Sequence, residues 1–278
     1  MSDISLIAST RRNLLGLQRT DQLRLQTTNR LSTGKKVNRI TDDPVKFSQS
    51  FALSNRVSDL LSLKKGTGQA LSAVETAING VGAIEKLGQQ LRGLALSART
   101  ASGAQRQELA QQFNVIRSQI DNLARDVSYG GVSLLGTPAA SLTQKVGDIS
   151  GGQVTVDGQS SSSSALGIGS ATTSYNSFST SADIEAALTG VQGAVTTLRA
   201  SASQFGSSVA ALNIAEDFNQ SLSQTLQAGQ DKLVNANLNK EAANLLSVDI
   251  RNQLGQQGLR ITQRSGAAVL QLLNGIKG

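Results

Sequence analysis

Apolar residues recur along most of this chain in steps of three and four. Leu71, Val74, Ile78, Val81, Ile84, Leu87, Leu91 and Leu94 hold that spacing over more than six turns, which is the stripe of an amphipathic helix. Ala101-Ser102-Gly103-Ala104 interrupts it, and from Leu109 a second stripe runs through Phe113, Ile116, Ile120, Leu123 and Val127. The alternation of four and three is that of a helix seeking another helix, so the two segments are predicted to form a long antiparallel pair. Leu188, Val191, Val195, Leu198, Ala202, Phe205, Val209 and Leu212 repeat the pattern and predict a third bundle helix, with Ser181 as its cap ahead of Asp183 and Glu185. The residues expected to pack these helices are Ile78, Val81, Leu91, Leu94, Phe113, Ile116, Ile120, Leu123, Val191, Val195, Leu198 and Phe205.

The two ends of the chain are helical in pattern but less tightly specified. Ile7, Leu14, Leu17 and Leu31 fall near heptad spacing, and Ile250, Leu254, Ile261, Ala268 and Leu272 follow one another at four or seven residues. Gly255, Gly258 and Gly266 each weaken the second of these helices, by about 1 kcal/mol relative to Ala when exposed. A helix of about 30 residues is roughly 45 Å long and cannot cover its own stripe. Isolated helices are marginal in water, so the two ends are expected to run side by side with Ile7, Leu14, Leu17 and Leu31 against Leu254, Ile261, Ala268 and Leu272, or to wait for another molecule.

Between Gly136 and Ala182 the pattern stops: over half the residues are Gly, Ser or Thr, including the run Ser160, Ser161, Ser162, Ser163 and Ser164. Gln153-Val154-Thr155-Val156 alternates into Asp157-Gly158, which predicts a short hairpin turning at the Asp-Gly pair. The fold class expected is mainly α, a long antiparallel helical bundle or coiled coil formed by the N- and C-terminal segments, with a small β-hairpin-containing central excursion. The expected divisions are residues 1–40 (first arm), 41–135 (long helical pair), 136–182 (excursion), 183–234 (third long helix) and 235–278 (second arm).

Composition narrows the chemistry. The 278 residues include no Cys, His or Trp, which removes His- or Cys-based metal, haem and thiol sites. Asp42-Asp43 is a carboxylate pair, but beside Pro44 it reads as a turn and helix start, with no accompanying nucleophile, base or phosphate-cradling loop. No catalytic residue, metal or cofactor is therefore expected. No stretch approaches the roughly 18–20 apolar residues of a membrane-spanning helix, and Met1-Ser2-Asp3-Ile4-Ser5-Leu6-Ile7 shows no cleavable secretory signal. Export, if it occurs, is expected by another route. The net charge is +7, and residues 1–99 hold fifteen Lys or Arg against seven Asp or Glu, with the remainder at −1; this asymmetry fits nucleic acid, an anionic membrane or an acidic protein partner.

Short motifs at both ends resemble bacterial flagellin. Asn29-Arg30-Leu31-Ser32-Thr33-Gly34-Lys35-Lys36-Val37-Asn38 is similar to that family's "RLSSGLRIN" segment, and Asp42-Asp43-Pro44 to its acidic turn. Phe113 to Asp126, followed by Tyr129-Gly130-Gly131-Val132-Ser133-Leu134-Leu135, resembles the helix that ends in "FNGVxLL". Ala242-Ala243-Asn244-Leu245-Leu246 and Arg251-Asn252-Gln253-Leu254-Gly255 are similar to "ANLxALQxRQQLG". The resemblance covers residues 5–135 and 183–273. It implies a secreted, self-assembling filament subunit without large outer domains. The terminal helices would line an inner tube and the long helices a surrounding shell. Export would run unfolded through a type III-like flagellar apparatus. The partners implied are other copies of the chain, an export chaperone, the filament cap and junction proteins. The segment corresponding to the family's innate-immune "LQRVRELAVQ" is Leu87 to Leu96; around Gln90, Leu91, Arg92 and Leu94 it keeps Arg92, Leu94 and Ala95 but has Gln90 for an Arg and Gly93 for a Glu, which implies weak activation of the flagellin-sensing Toll-like receptor. Ser160 to Ser164 read first as a flexible loop and second as surface glycosylation sites.

Two other readings remain. Thr33-Gly34-Lys35-Lys36 and Asp42-Asp43-Pro44-Val45 also fit the hook-filament junction protein, against which the C-terminal motifs speak. A basic coiled coil binding nucleic acid through Arg11, Arg12, Arg19, Arg24, Arg30, Lys35, Lys36 and Arg39 lacks interleaved aromatic residues and any zinc or helix-turn-helix signature.

Overall fold

A computed structural model describes residues 2–148 and 151–275, with side chains described for 10–148 and 151–268. Five α-helices occur among the described residues: α1 (Ser2–Thr33), α2 (Pro44–Ala98), α3 (Gly103–Asp126), α4 (Ser181–Val234) and α5 (Leu238–Gly275). Strands β1 (Leu142–Lys145) and β2 (Gln153–Val156) lie between α3 and α4. The chain divides into two compact units. Unit 1 is Met1–Asn55 with Leu226–Gly278, and unit 2 is Arg56–Thr225, so α2 and α4 each contribute to both. The boundaries fall inside these helices rather than at the loops near residues 41 and 235.

Unit 2 carries the core. The stripes read from the sequence converge on one cluster in which Val74, Ile84, Leu91, Phe113, Ile120, Val191, Leu198 and Phe205 are almost wholly buried. Val81 is buried with them, while Ile78, Leu94, Ile116 and Leu123 pack against the cluster from partly covered positions. Val195 is half-buried and faces Gly88. Ion pairs stitch α2 and the turn after it to α4: Glu85 with Arg199 at 2.8 Å, Arg99 with Glu185 at 2.9 Å and Lys64 with Glu216 at 3.9 Å. Such solvated pairs add at most about 1 kcal/mol each; the apolar stripe holds the bundle.

Local chemistry ends and starts the helices. Ser102 and Gln105 form a capping box at the start of α3. At α4 the cap is Thr180, not Ser181. The Asp183 amide donates to Thr180 Oγ1 at 3.3 Å and the Thr180 amide donates back to Asp183 Oδ2 at 2.8 Å, because the first helical residue is Ser181 itself. The Thr180 hydroxyl also donates to Asp183 Oδ2 at 2.7 Å, and this bond first, then that from the Thr180 amide, holds the Asp183 carboxyl below its ordinary value. After α3, Tyr129 and Val132 exchange backbone hydrogen bonds of 3.0 Å around Gly130 (φ +57°) and Gly131 (φ +83°). Two successive left-handed residues in a tight turn select Gly-Gly.

β1 and β2 pair antiparallel, Leu142 opposite Val156 and Lys145 opposite Gln153. The hairpin is present, but its connection precedes β2, and Asp157-Gly158 is not its turn. Gly158 instead lies against the backbone oxygens of Ala140 and Leu134 with no room for a Cβ, while the Gln159 amide donates to Leu134 O at 2.7 Å.

The Ser-rich segment that follows is not a loose loop. One face of α3 holds it: Asp121 Oδ1 accepts the Ser163 amide at 2.7 Å and Oδ2 the Ser163 hydroxyl at 3.0 Å. Further along that face, Arg117 Nε donates to Ile168 O at 3.0 Å, and Asn114 Oδ1 accepts the Ala171 amide at 2.8 Å. At the end of the strap Tyr175 and Phe178 meet the Phe113 ring edge-on at 6.1 and 5.5 Å, a favoured aromatic geometry. Phe178 reaches that position through Asn176, Ser177 and Phe178 at φ +43°, +51° and +59°. Each non-glycine residue there costs about 1–2 kcal/mol.

Ser177→Gly should therefore relieve more left-handed strain than it costs in unfolded-chain entropy, a net gain of about 0.5–1 kcal/mol. The expected reading is a higher urea midpoint for the bundle; an unchanged or lower midpoint would mean the turn stores no strain.

Candidate assembly surfaces

Unit 1 is built from α1, the start of α2, the end of α4 and α5. Gly34, at φ +69°, ends α1, and its carbonyl accepts the Ala236 amide at 2.8 Å. Lys35 and Asn235 pair as a β-bridge, the Lys36 amide donates to Val234 O at 2.7 Å and Lys36 Nζ to Lys232 O at 3.0 Å. Asp42 then accepts the Asn38 and Arg39 amides at 2.9 Å each, which holds its carboxyl below the usual carboxylate range. Asp43 caps α2 by accepting from the Lys46 side chain at 2.7 Å and the Lys46 amide at 3.0 Å, and its carboxyl is lowered in the same way. The Asp-Asp-Pro motif thus does turn and cap chemistry with both carboxylates occupied. Asn237 starts α5, accepting the Lys240 amide at 3.1 Å.

α1 and α5 run side by side, antiparallel, but not on the residues expected. Arg30 Nη1 donates to Glu241 Oε1 at 3.3 Å and Asn252 Nδ2 to Asp21 Oδ1 at 2.7 Å. The covered positions of α5 include Glu241, Leu245, Val248, Asn252, Gly255, Leu259 and Thr262, a heptad register of mixed polarity. On α1 they include Leu17, Thr20, Thr27 and Leu31. Gly255 does more than weaken its helix: a Cβ there would stand 2.7 Å from Leu17 Cδ2, so the glycine allows α1 and α5 to approach.

Of the residues expected to cover one another, Leu17 and Leu31 are half-buried in this seam. Leu14 (51% exposed), Leu254 (61%) and Ile261 (65%) are not in it, and Ala268 is also exposed. The reason is angular. A seam through Val248, Asn252 and Gly255 puts Ile250, Leu254 and Ile261 on another side of the same helix. The side chains of Ile7 and Leu272 lie outside the described residues.

Among its described residues unit 1 has almost no interior. Its most covered apolar side chains are Val37, Val234 and Val248, at 5–6% exposure, whereas in unit 2 Phe113, Phe178 and Phe205 are at 0%. Of the eighteen large apolar side chains that stand exposed among the described residues, twelve belong to unit 1. They include Leu14, Leu25, Leu246, Ile250, Leu254 and Ile261.

In unit 2, Leu91 of the candidate receptor segment is wholly buried and presents nothing outward. Gln90 and Arg92 are exposed and Leu94 is half-buried. In the serine run, Ser161 and Ser163 are buried with hydroxyls donated to Gln159 O and Asp121 Oδ2. Ser160 and Ser162 are half-covered and Ser164 is exposed. A polar cleft of about 310 Å³ lined by Arg30, Lys35, Lys36 and Arg39 lies in unit 1. Among the described residues no group of three metal-ligating side chains occurs, and no helix is long and apolar enough to cross a membrane.

Residues 4–138 match the family model described as the bacterial flagellin N-terminal helical region. The chain is similar to flagellin FljK of Caulobacter vibrioides, 27% identical over 87% of this chain and 88% of that one. It is similar to a flagellin of Brucella melitensis, 24% identical over 99% of this chain and all of that one. A crystal structure of Bacillus cereus flagellin aligns with 55% of this chain and 88% of its own, at 22% identity and a TM-score of 0.48. Helical ends carrying the family's motifs, a first half matched by the flagellin N-terminal helical region, and relatives aligned with nearly the whole length lead to one conclusion: the chain is similar throughout to the bacterial flagellins, the structural subunits of the extracellular flagellar filament.

Proposed function

We propose that unit 1 is the polymerisation element and that its apolar faces are completed by other copies of the chain. The observation that carries this is the twelve exposed large apolar side chains on a unit whose described residues form no buried core. Each such side chain is worth about 1.5–3 kcal/mol when fully covered, far more than the polar seam between α1 and α5 supplies. In this reading residues 1–40 and 235–278 form the inner-tube helices, with Leu14, Leu254, Ile261 and Ala268 facing neighbouring subunits and Leu17 and Leu31 facing α5. Residues 41–135 and 183–234 form the shell around them, and 136–182 the strap and hairpin borne on it. The subunit travels unfolded through the flagellar export apparatus, escorted by a chaperone, and takes its place between junction proteins and cap.

The Leu246→Ser, Ile250→Ser, Leu254→Ser variant tests this directly. These side chains are exposed at 48–64%, so the monomer's thermal midpoint should stay close to wild type, while elongation from seed filaments should drop at least tenfold. Elongation at the wild-type rate would remove the α5 face from the interface. Wild-type chain that never elongates from seeds would instead favour the junction-protein reading.

Ordering of the arms is proposed to depend on assembly. Amides of α1 and α5 should exchange with deuterium within minutes in the free subunit and be protected in the filament, whereas those of Val74 to Leu91 are protected in both. Equal protection of the arms in both states would contradict this.

Weak engagement of the flagellin-sensing Toll-like receptor is proposed from the exposed Gln90 and Arg92. The paired change Gln90→Arg, Gly93→Glu should raise potency in a reporter-cell assay by an order of magnitude. Wild-type protein already as potent as a flagellin carrying the full motif would refute it.

A further inference from the structure

At the end of α1 the chain gathers four cations around one cleft. Arg30 stands on the last turn of the helix, Lys35 and Lys36 follow the left-handed Gly34, and Arg39 opens the turn closed by Asp42. They line a space of about 310 Å³ together with a single carboxylate, that of Asp42. Such a space is about 7 Å across, inside the roughly 8 Å over which physiological salt screens charge, so the four cations repel one another. A general excess of charge on unit 1 does not require them to converge.

The charges are not cancelled from within. Arg30 Nη1 reaches out of the group to Glu241 Oε1 at 3.3 Å. Lys36 Nζ donates to the neutral carbonyl of Lys232 at 3.0 Å, which leaves its charge in place. Among the described residues Lys35 and Arg39 have no side-chain hydrogen bond or ion pair. Asp42 is engaged by the backbone, its Oδ2 taking the Asn38 and Arg39 amides at 2.9 Å each. Complementing the α1 macrodipole accounts for Arg30 but not for Arg39, six residues past Thr33, where the helix ends.

The backbone that bears these groups is pinned. Lys35 pairs with Asn235 as a β-bridge, the Lys36 amide donates to Val234 O at 2.7 Å, and Val37 beside them is buried. The cations are thus already gathered, and little chain ordering is left to oppose binding.

We infer that this cleft is an anion site for a diphosphate group, either free inorganic pyrophosphate or the phosphates of a small phosphorylated molecule. The inference is independent of the polymerisation reading, and the site lies wholly in unit 1. Arginine forks match phosphate oxygens in pairs, and lysine adds a point charge. Asn29, Asn38 and Thr41 line the same cleft and supply neutral donors for the remaining oxygens. The cradle is made of side chains on a pinned segment instead of a glycine-rich loop. Among the described residues no aromatic side chain lines it, so a base has nothing to stack on and recognition stops at the phosphates. A lone carboxylate brings one negative charge, whereas a diphosphate brings several and answers the four cations at once.

The full chain, as free subunit, is titrated calorimetrically with inorganic pyrophosphate, without divalent metal, at a fixed ionic strength of about 0.15 M. The expected result is one saturable site with Kd below about 1 mM. The Lys35→Gln, Arg39→Gln variant changes two exposed side chains and should keep the thermal midpoint while weakening binding at least tenfold. Arg251→Gln, Arg260→Gln removes the same charge from exposed positions on α5 and should change affinity less than threefold. No saturable heat up to about 10 mM pyrophosphate would overturn the site. Equal weakening by the two double variants would overturn it as well, since diffuse charge produces that result. ADP, the same diphosphate under a nucleoside, separates the sources. Affinity equal to that of pyrophosphate assigns the site to phosphorylated small molecules, and affinity at least tenfold weaker assigns it to the free inorganic anion. ADP bound tenfold more tightly would mean that the nucleoside is read, and would overturn a site that recognises phosphates alone.

Discussion

Burial is divided unequally between two units of one chain, and the rest of the structure follows from that division. A helix carrying leucines on two faces satisfies one of them by pairing with a single other helix. α5 spends its pairing face on Glu241, Asn252, Gly255 and Thr262 as well as Leu245, Val248 and Leu259. The leucines and isoleucines at 246, 250, 254 and 261 are left outside. An intramolecular seam of this polarity fixes register through the Arg30–Glu241 and Asn252–Asp21 contacts, whose geometry is directional, rather than through area. Register set by polar contacts and affinity held back on an outer face are what a subunit requires if its neighbours are to be identical copies.

Unit 2 solves the opposite problem. Its helices close their own core, so it persists whether or not neighbours are present. The strap from residue 157 to 180 is held by Asn114, Arg117 and Asp121 on α3. Each of these satisfies backbone groups of a segment that has no ladder of its own, and an unpaired buried amide costs about as much as a lost hydrogen bond. The Ser and Gly residues are suited to this role because their small side chains let the strap lie flat on α3. Ser161 and Ser163 are covered as a consequence.

The bundle was legible from the sequence because an apolar stripe at 3.5-residue spacing has few physical solutions. Phe113, Ile120, Val191, Leu198 and Phe205 all reach the core that the spacing implied. The seam between the ends was less legible for a matching reason. Hydrophobic spacing points to apolar residues on both sides of it, whereas the covered positions include Thr20, Thr27, Asn252 and Gly255, which no hydrophobic periodicity reports. Gly255 was the one available signal, since a glycine inside a heptad marks close approach as readily as weakness. The strap was opaque: its partners lie 42 to 73 residues away on α3, and polar residues on a helix read as solvated until something is seen to lie on them. The hairpin was half-read, because β2 carries alternation while β1, Leu142-Thr143-Gln144-Lys145, has only one large apolar residue.

Charge adds the counterweight to the exposed apolar faces. Unit 1 holds fifteen Lys or Arg against seven Asp or Glu and unit 2 eleven against twelve, so a net +8 sits on the unit proposed to polymerise and −1 on the other. Like charge keeps apolar surfaces from meeting at random, which is how twelve exposed large side chains remain compatible with a dispersed subunit. Repulsion is cut off at about 8 Å in physiological salt, whereas apolar burial acts only at contact. A subunit arriving in a poor register meets the charge barrier without the compensating burial. One arriving with its faces aligned on a filament end crosses it and gains contacts on several sides at once. On the proposed reading the combination would make association weak in solution and strong at a growing tip, and neither the hydrophobic surface nor the charge excess alone would produce that difference.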